Sequence, residues 1–185
     1  PFGSYQLLGR LRLGYDYGQD GRDEADNYRR ELNLEDAVST VHFRRGKAKF
    51  TREAFTSFTA DVAVIRLTAD GRQGLQLRIG MDRPERYRVS TDGKELEMHG
   101  RLYVGDEKEA PPVVYTLGDS AFVYAEDSAA RAAREEGGGV RYAARVRVLL
   151  PKGGALRAEN DTTLAVLDAP EVVLLVGMAT DYFGG

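Results

Sequence analysis

The sequence predicts an all-β protein, an antiparallel sandwich of two sheets. Three observations carry that expectation. Apolar residues recur at every second position through most of the chain, which puts one face of each segment on a core. Short polar turns separate the segments, among them Arg45-Gly46-Lys47, Thr59-Ala60-Asp61 and Thr91-Asp92-Gly93-Lys94. Only one stretch favours a helix, and no repeat at a fixed period is visible.

The first strand is expected over Tyr5 to Tyr17, with Leu7, Gly9, Leu11, Leu13 and Tyr15 on one face. Residues 18–27 are polar and glycine-bearing, a surface loop. Its acids, Asp20, Asp23, Glu24 and Asp26, lack the alternating oxygen ligands and terminal bidentate Glu of a calcium loop. A solvated turn is the better reading.

Residues 28–67 hold the longest consistent pattern. Leu32, Leu34, Ala37, Ser39, Val41 and Phe43 read as one face of a continuous strand, with Val38, Thr40, His42 and Arg44 on the other. Gly46 turns the chain, and Phe50, Ala54 and Phe58 return along the same face. Pairing Phe43 with Ala48 or with Phe50 keeps Val41, Phe43, Phe50 and Ala54 together, so the face survives either register. Val62 to Leu67 completes a meander.

Leu75, Leu77, Ile79 and Met81 form the next strand after the turn at 70–74. Tyr87–Ser90 is short, and Leu96 and Met98 continue beyond the Asp92-Gly93 hairpin. Residues 105–139 differ: they are polar and proline-interrupted, and read as an insertion between strands, a surface excursion. Within them, Asp127 to Glu136 predicts one short helix, with Asp127 or Ser128 as N-cap and Gly137 as stop. The tail returns to β through Val140, Tyr142, Ala144, Val146 and Val148, a turn at Pro151-Lys152-Gly153-Gly154, and then Leu164 and Val166. Val172 to Val176 is apolar at every position and is expected to be a central strand buried between layers.

Three segments also carry a resemblance. Tyr28-Arg29-Arg30-Glu31-Leu32-Asn33-Leu34 with Ala37-Val38 resembles a motif in the amino-terminal domain of glycoside hydrolase family 95, the α-L-fucosidases and related α-L-galactosidases. Arg52-Glu53-Ala54-Phe55-Thr56-Ser57-Phe58 resembles the next motif of that domain. Tyr5-Gln6-Leu7-Leu8-Gly9-Arg10-Leu11 resembles an upstream one, with Leu7 where Pro is usual and Arg10 where Asp is usual. The likeness is firm over about residues 4–69 and looser, but in order, over 140–180. It implies a supersandwich fold over residues 1–185, truncated so that opening strands precede Pro1. It also implies a separate (α/α)₆ catalytic barrel as partner in the same parent chain, a glycan substrate for that parent, and a secreted or periplasmic home.

Composition narrows the alternatives. At 185 residues the chain is one domain, long enough for a substantial core. Twenty-six basic and 29 acidic residues nearly balance, and no basic stripe points to nucleic acid. No apolar run approaches the ~20 residues of a membrane-spanning helix. Cysteine is absent, which excludes disulfides and thiolate chemistry. Tryptophan is absent too, a point against a sugar-stacking module. The chain opens on Pro1-Phe2-Gly3 rather than Met, and a processed or excised piece of something longer is expected.

Catalytic candidates are few. Glycoside hydrolysis needs two acidic or polar groups flanking the scissile bond. Glu31 and Glu53 are the most tempting, but each follows an Arg that favours the charged form, and both read as cross-strand ion-pair or hydrogen-bond partners fixing the sheet. The resemblance agrees, since the catalytic motifs of that family belong to its barrel and match nothing here. His42 and His99 lack a clustered third ligand, so no metal and no cofactor is expected. A triad of Ser39, His42 and Asp36 has no scaffold behind it. Gly137-Gly138-Gly139 lacks the context of a phosphate loop. Tyr15, Tyr17, Tyr87, Tyr103 and Tyr115 are candidates to stack a sugar, though sheet tyrosines are more often half-buried. The expected role is a non-catalytic domain supporting a glycosidase barrel, which predicts an exposed apolar patch where the barrel or the missing opening strands would dock. The alternatives are a free-standing carbohydrate-binding module and an interaction domain with no sugar role.

Overall fold

The structure, a computed structural model, describes residues 7–17, 24–71, 73–102 and 140–182. The predicted helix at 127–136 and the insertion at 105–139 lie outside the described residues, as do Asp20, Asp23, Tyr103, Tyr115 and Gly137–Gly139. Twelve strands are described. The first six are β1 (Arg10–Tyr15), β2 (Asp26–Asn33), β3 (Val38–Arg45), β4 (Ala48–Ser57), β5 (Val62–Asp70) and β6 (Leu75–Asp82). Then come β7 (Tyr87–Thr91), β8 (Glu95–Arg101), β9 (Arg141–Leu149), β10 (Ala155–Asn160), β11 (Thr163–Ala169) and β12 (Glu171–Thr180). Among the described residues no helix is long and apolar enough to cross a membrane.

Two antiparallel sheets face each other, as expected. One has four strands in the order β1-β6-β11-β10; the other has eight, in the order β2-β3-β4-β5-β12-β9-β8-β7. Alternation builds the core between them. Leu75, Leu77 and Ile79 of β6 and Leu164 and Val166 of β11 meet Leu67 of β5, Val172 and Leu174 of β12, Val146 of β9, and Leu96 and Met98 of β8. Burial of these side chains is the main stabilising term, roughly 1.5–3 kcal/mol for each large one.

Two expectations need correction, and one strand, β10, was not anticipated at all. The continuous strand through 32–43 is broken at residues 34–37, so the meander has four strands rather than three. Asn33 causes the break: its Oδ1 accepts the backbone N–H groups of Glu35 and Asp36, and its Nδ2 donates to Asp36. Ala37 then takes a left-handed φ of 54°. The predicted face nevertheless survives, because Leu32 pairs with Ser39 across the hairpin and Phe43 with Phe50 beyond it. The unanticipated β10 carries only one half-buried apolar side chain, Leu156, and shows no alternation to predict it. Secondly, β12 is central in its sheet but has a layer on one face only: Val172 and Leu174 are buried, while Val173 and Leu175 on the opposite face are half-buried.

The mismatch of eight strands against four is the feature that matters for function. The small sheet covers the half built from β5, β12, β9 and β8, where the core residues lie. Beyond it, β2 is exposed at every position.

Candidate functional site

Strand pairing sets the residues of the large sheet in transverse rows. Leu32, Ser39, Ala54, Ile65 and Leu174 form one row on the inner face. Leu174 is fully buried, Ile65 is half-buried against the core, and Leu32 at the edge is 63% exposed. Leu34, Phe58 and Met178 lie at the same end of the sheet and are 83%, 99% and 60% exposed. Leu32 and Met178 belong to strands of the large sheet, and Leu34 and Phe58 to the turns after β2 and β4, all at the end that the small sheet does not reach.

At the opposite end of β3 and β4, the sheets part around a cleft of about 430 Å³. It is bounded by the end of β1 (Tyr15, Asp16, Tyr17), the β3–β4 turn (Arg45, Lys47) and the start of β6 (Gln73, Gln76). An aromatic cluster forms its wall. Tyr15 stacks on Tyr17 at 5.5 Å between centroids, Phe43 stacks on Phe50 at 5.1 Å, and Tyr17 meets Phe50 edge-on at 5.2 Å. Two guanidinium groups lie over these rings: Arg45 is 4.2 Å from the Tyr17 centroid and Arg52 is 4.3 Å from that of Tyr15. Arg52 also donates to the Tyr17 hydroxyl at 3.2 Å. The Tyr15 hydroxyl is buried with no hydrogen-bond partner among the described residues, and burial, opposed by Arg52, pushes its pKa up to about 12.

The acidic candidates sit on the outer face, away from both features. Glu31, Thr40, Glu53 and Arg66 share one row. Glu31 and Glu53 are therefore two strands apart, about 10 Å by ordinary strand spacing. Glu53 accepts from Arg66 at 2.7 Å, a cross-strand ion pair, and Glu31 pairs with Arg29. Glu53 thus has a cross-strand partner, as read from the sequence, whereas Glu31 pairs along its own strand. Arg66 also bonds Glu171 at 2.8 Å, and Lys152 reaches the other oxygen of Glu171 at 2.9 Å.

His42 lies on the outer face, its Nδ1 3.1 Å from Thr51 Oγ1, and His99 is five strands away in sheet order. Ser39 and His42 project from opposite faces of β3, so they form no triad with Asp36, whose carboxylate is held by Asn33. Among the described residues no group of three or more His, Cys, Asp or Glu is disposed to hold a metal ion. Of the tyrosines, the structure brings Tyr15 and Tyr17 together and leaves Tyr87 apart on β7, opposite Gly100. Arg45, Arg52, Gln73 and Gln76 were not singled out by the sequence reading. The only local signal was the Tyr-x-Tyr spacing that points 15 and 17 the same way.

Comparisons with known proteins point to glycoside hydrolases. A family model described as "Glycosyl hydrolase family 65, N-terminal domain" matches residues 2–184. Alpha-L-fucosidase 2 of Arabidopsis thaliana is 26% identical over 184 residues, covering 100% of this chain and 20% of the relative. A probable alpha-fucosidase A of Aspergillus niger is 34% identical over 107 residues, 55% of this chain and 13% of the relative. The chain thus spans a fifth or less of the length of these two relatives.

Proposed function

Since this chain belongs to the family of glycosyl hydrolase family 65 N-terminal domains, we propose that it is the non-catalytic amino-terminal sandwich of a larger glycoside hydrolase of the α-L-fucosidase type. Its role there is mechanical. It packs on a separate (α/α)₆ catalytic barrel of the same polypeptide and fixes that barrel's position. The barrel removes terminal α-L-fucosyl or α-L-galactosyl residues from glycans outside the cell, in the manner of family 95. The fucosidase names of the relatives and the sequence resemblance support the choice of sugar.

One observation supports the mechanical role: the large sheet runs on past its cover, and at that end Leu32, Leu34, Phe58 and Met178 stand in water. Soluble monomers rarely leave a contiguous apolar surface unpartnered, and such a surface marks a docking site. Glu31 and Glu53 lie on an open sheet face, each held by a guanidinium group, which supports a non-catalytic reading of this domain. Glycosidic bond cleavage needs its acid in a site that excludes bulk water, which an open sheet face does not supply.

The test is fucose release. The folded chain is incubated with oligosaccharides ending in α1,2-linked fucose, and free fucose is followed over time. No release is expected from this chain, and sustained release is expected from the parent enzyme. Release that scales with the concentration of this chain and survives repurification would overturn the reading, and Glu31 and Glu53 would be replaced first.

A further inference from the structure

β2 ends the large sheet, and among the described residues no strand pairs with its outer edge. Every one of its residues is exposed, so a row of backbone donors and acceptors stands open to a further strand. Charge on an edge strand ordinarily blunts such pairing. On β2 the charges are ordered so that the strand complements itself. Arg29 and Glu31 lie on the outer face of the sheet, and Tyr28, Arg30 and Leu32 alternate with them toward the inner face. A two-fold axis normal to the sheet at Arg30 brings up an antiparallel copy of β2 with inner face against inner face. In that register Arg29 stands opposite Glu31 of the copy, and Tyr28 opposite Leu32 of the copy, each twice.

Arg29 and Glu31 already meet along their own strand at 2.5 Å. That contact need not break. Among the described residues neither side chain has another partner, so the second oxygen of Glu31 and the remaining donors of Arg29 are left for the copy. The two pairs then close a ring of four alternating charges. Tyr28 and Leu32 are each more than half exposed, and in this register each covers apolar surface of the other.

Three features keep the contact short and weak. The strand bulges between Asp26 and Arg29, with Asn27 at a φ of 49°, and Asn33 is tied to the turn that follows. Arg30 meets its own copy across the axis, and like charges directly opposite are destabilising. A contact of residues 28–32 is also far short of the ~20–30 residues a side of a stable complex. We propose that β2 pairs in this register with β2 of a second copy of this chain, joining two large sheets edge to edge in a weak dimer. The inference does not rest on the glycoside-hydrolase reading.

Sedimentation of the folded full chain, checked by circular dichroism, should show a monomer–dimer equilibrium with a dissociation constant on the order of 0.1 mM, weakened by salt. Arg29→Glu and Glu31→Arg each set like charges opposite one another twice and should weaken the dimer about fivefold or more. The double exchange restores the alternation and should return it to within about twofold of wild type. Arg30→Gln removes the like-charge contact and should tighten it about threefold. Because the chain holds no cysteine, disulfide capture reads the register directly. Arg30→Cys sets two thiols across the axis at the ~4.5–5.5 Å Cα spacing of an antiparallel pair, within disulfide reach, whereas Tyr28→Cys leaves them about 13 Å apart. Capture is expected at position 30 and not at position 28. No dimer up to about 1 mM would overturn the proposal. So would equal capture at both positions, a double exchange that restores nothing, or an association indifferent to the charge variants, as apolar contact through Leu34 and Phe58 would be.

Discussion

Gly100 lies directly under the Tyr142 side chain. The two residues pair across β8 and β9, and a Cβ on Gly100 would stand 2.2 Å from the Tyr142 hydroxyl oxygen and 2.0 Å from the Arg86 carbonyl oxygen. The bare glycine is what allows the buried hydroxyl to donate to that carbonyl at 2.6 Å. Gly100→Ala must therefore displace backbone as well as a ring, and a loss of roughly 2–4 kcal/mol is expected. Tyr142→Phe removes only the hydrogen bond and should cost about 1 kcal/mol. Urea unfolding of both variants checks this; equal small effects would show that the contact is relieved without strain.

Glu171 is the buried end of the ion-pair network on the outer face. Hydrogen bonds from Arg66 and then Lys152 pull its pKa from the ordinary 4.5 down to about 2. A carboxylate with a depressed folded-state pKa contributes stability that is complete above its unfolded value and disappears as pH falls through the folded one. The contribution should therefore be full above about pH 4.5 and fade toward pH 2. Glu171→Gln is expected to lose about 1–3 kcal/mol at pH 7, with the gap to wild type closing across that acid window. A gap that stays constant from pH 7 to pH 2 would show that packing, not charge, is what Glu171 supplies.

The turn before β3 holds Ala37 at a φ of 54°, a region that costs L-residues with a Cβ about 1–2 kcal/mol. Ala37 is exposed, so substitutions there report the backbone rather than packing. Ala37→Gly should leave stability unchanged or raise it by up to about 1 kcal/mol, since relief of strain is partly offset by unfolded-state entropy. Ala37→Val, branched at Cβ, should lower it by about 1–2 kcal/mol. Thermal unfolding in the same buffer separates the two, and the opposite order would refute the strain.

That same turn shows where the sequence was silent. A period-two pattern survives a tight hairpin unchanged, because Leu32 and Ser39 face one way whether the chain runs on or folds back. Without a Gly or Pro, the break depended on the Asn33 side chain, whose bonds to Glu35 and Asp36 are invisible to patterning. The strands through Leu75–Met81, Leu96–Met98 and Tyr142–Val148 were legible because each buries one full face. β10 was not, since at an edge only Leu156 needs to be apolar. The cleft escaped because its parts come from three turns and strand ends far apart in sequence. Arg52 stands next to Glu53 in the sequence, but the pleat turns it inward onto Tyr15 and Phe43, which no pattern of neighbours reveals.

The uncovered apolar face gives the sharpest prediction about context. Phe58 touches little in this chain, being 99% exposed, and Leu34 is nearly as open. Replacing both by serine should change the chain's own stability by no more than about 0.5 kcal/mol, as for other surface positions. Its tendency to self-associate should fall, because the removed area is what a second molecule would cover. In the parent enzyme the same pair of substitutions should lower the unfolding temperature and weaken fucose release, because the proposed docking on the barrel would bury the two side chains. Each large side chain buried at that interface is worth roughly 1.5–3 kcal/mol. Sedimentation of this chain and calorimetry of the parent enzyme read the two halves independently. A parent enzyme indifferent to both substitutions would place the barrel on another face of the sandwich.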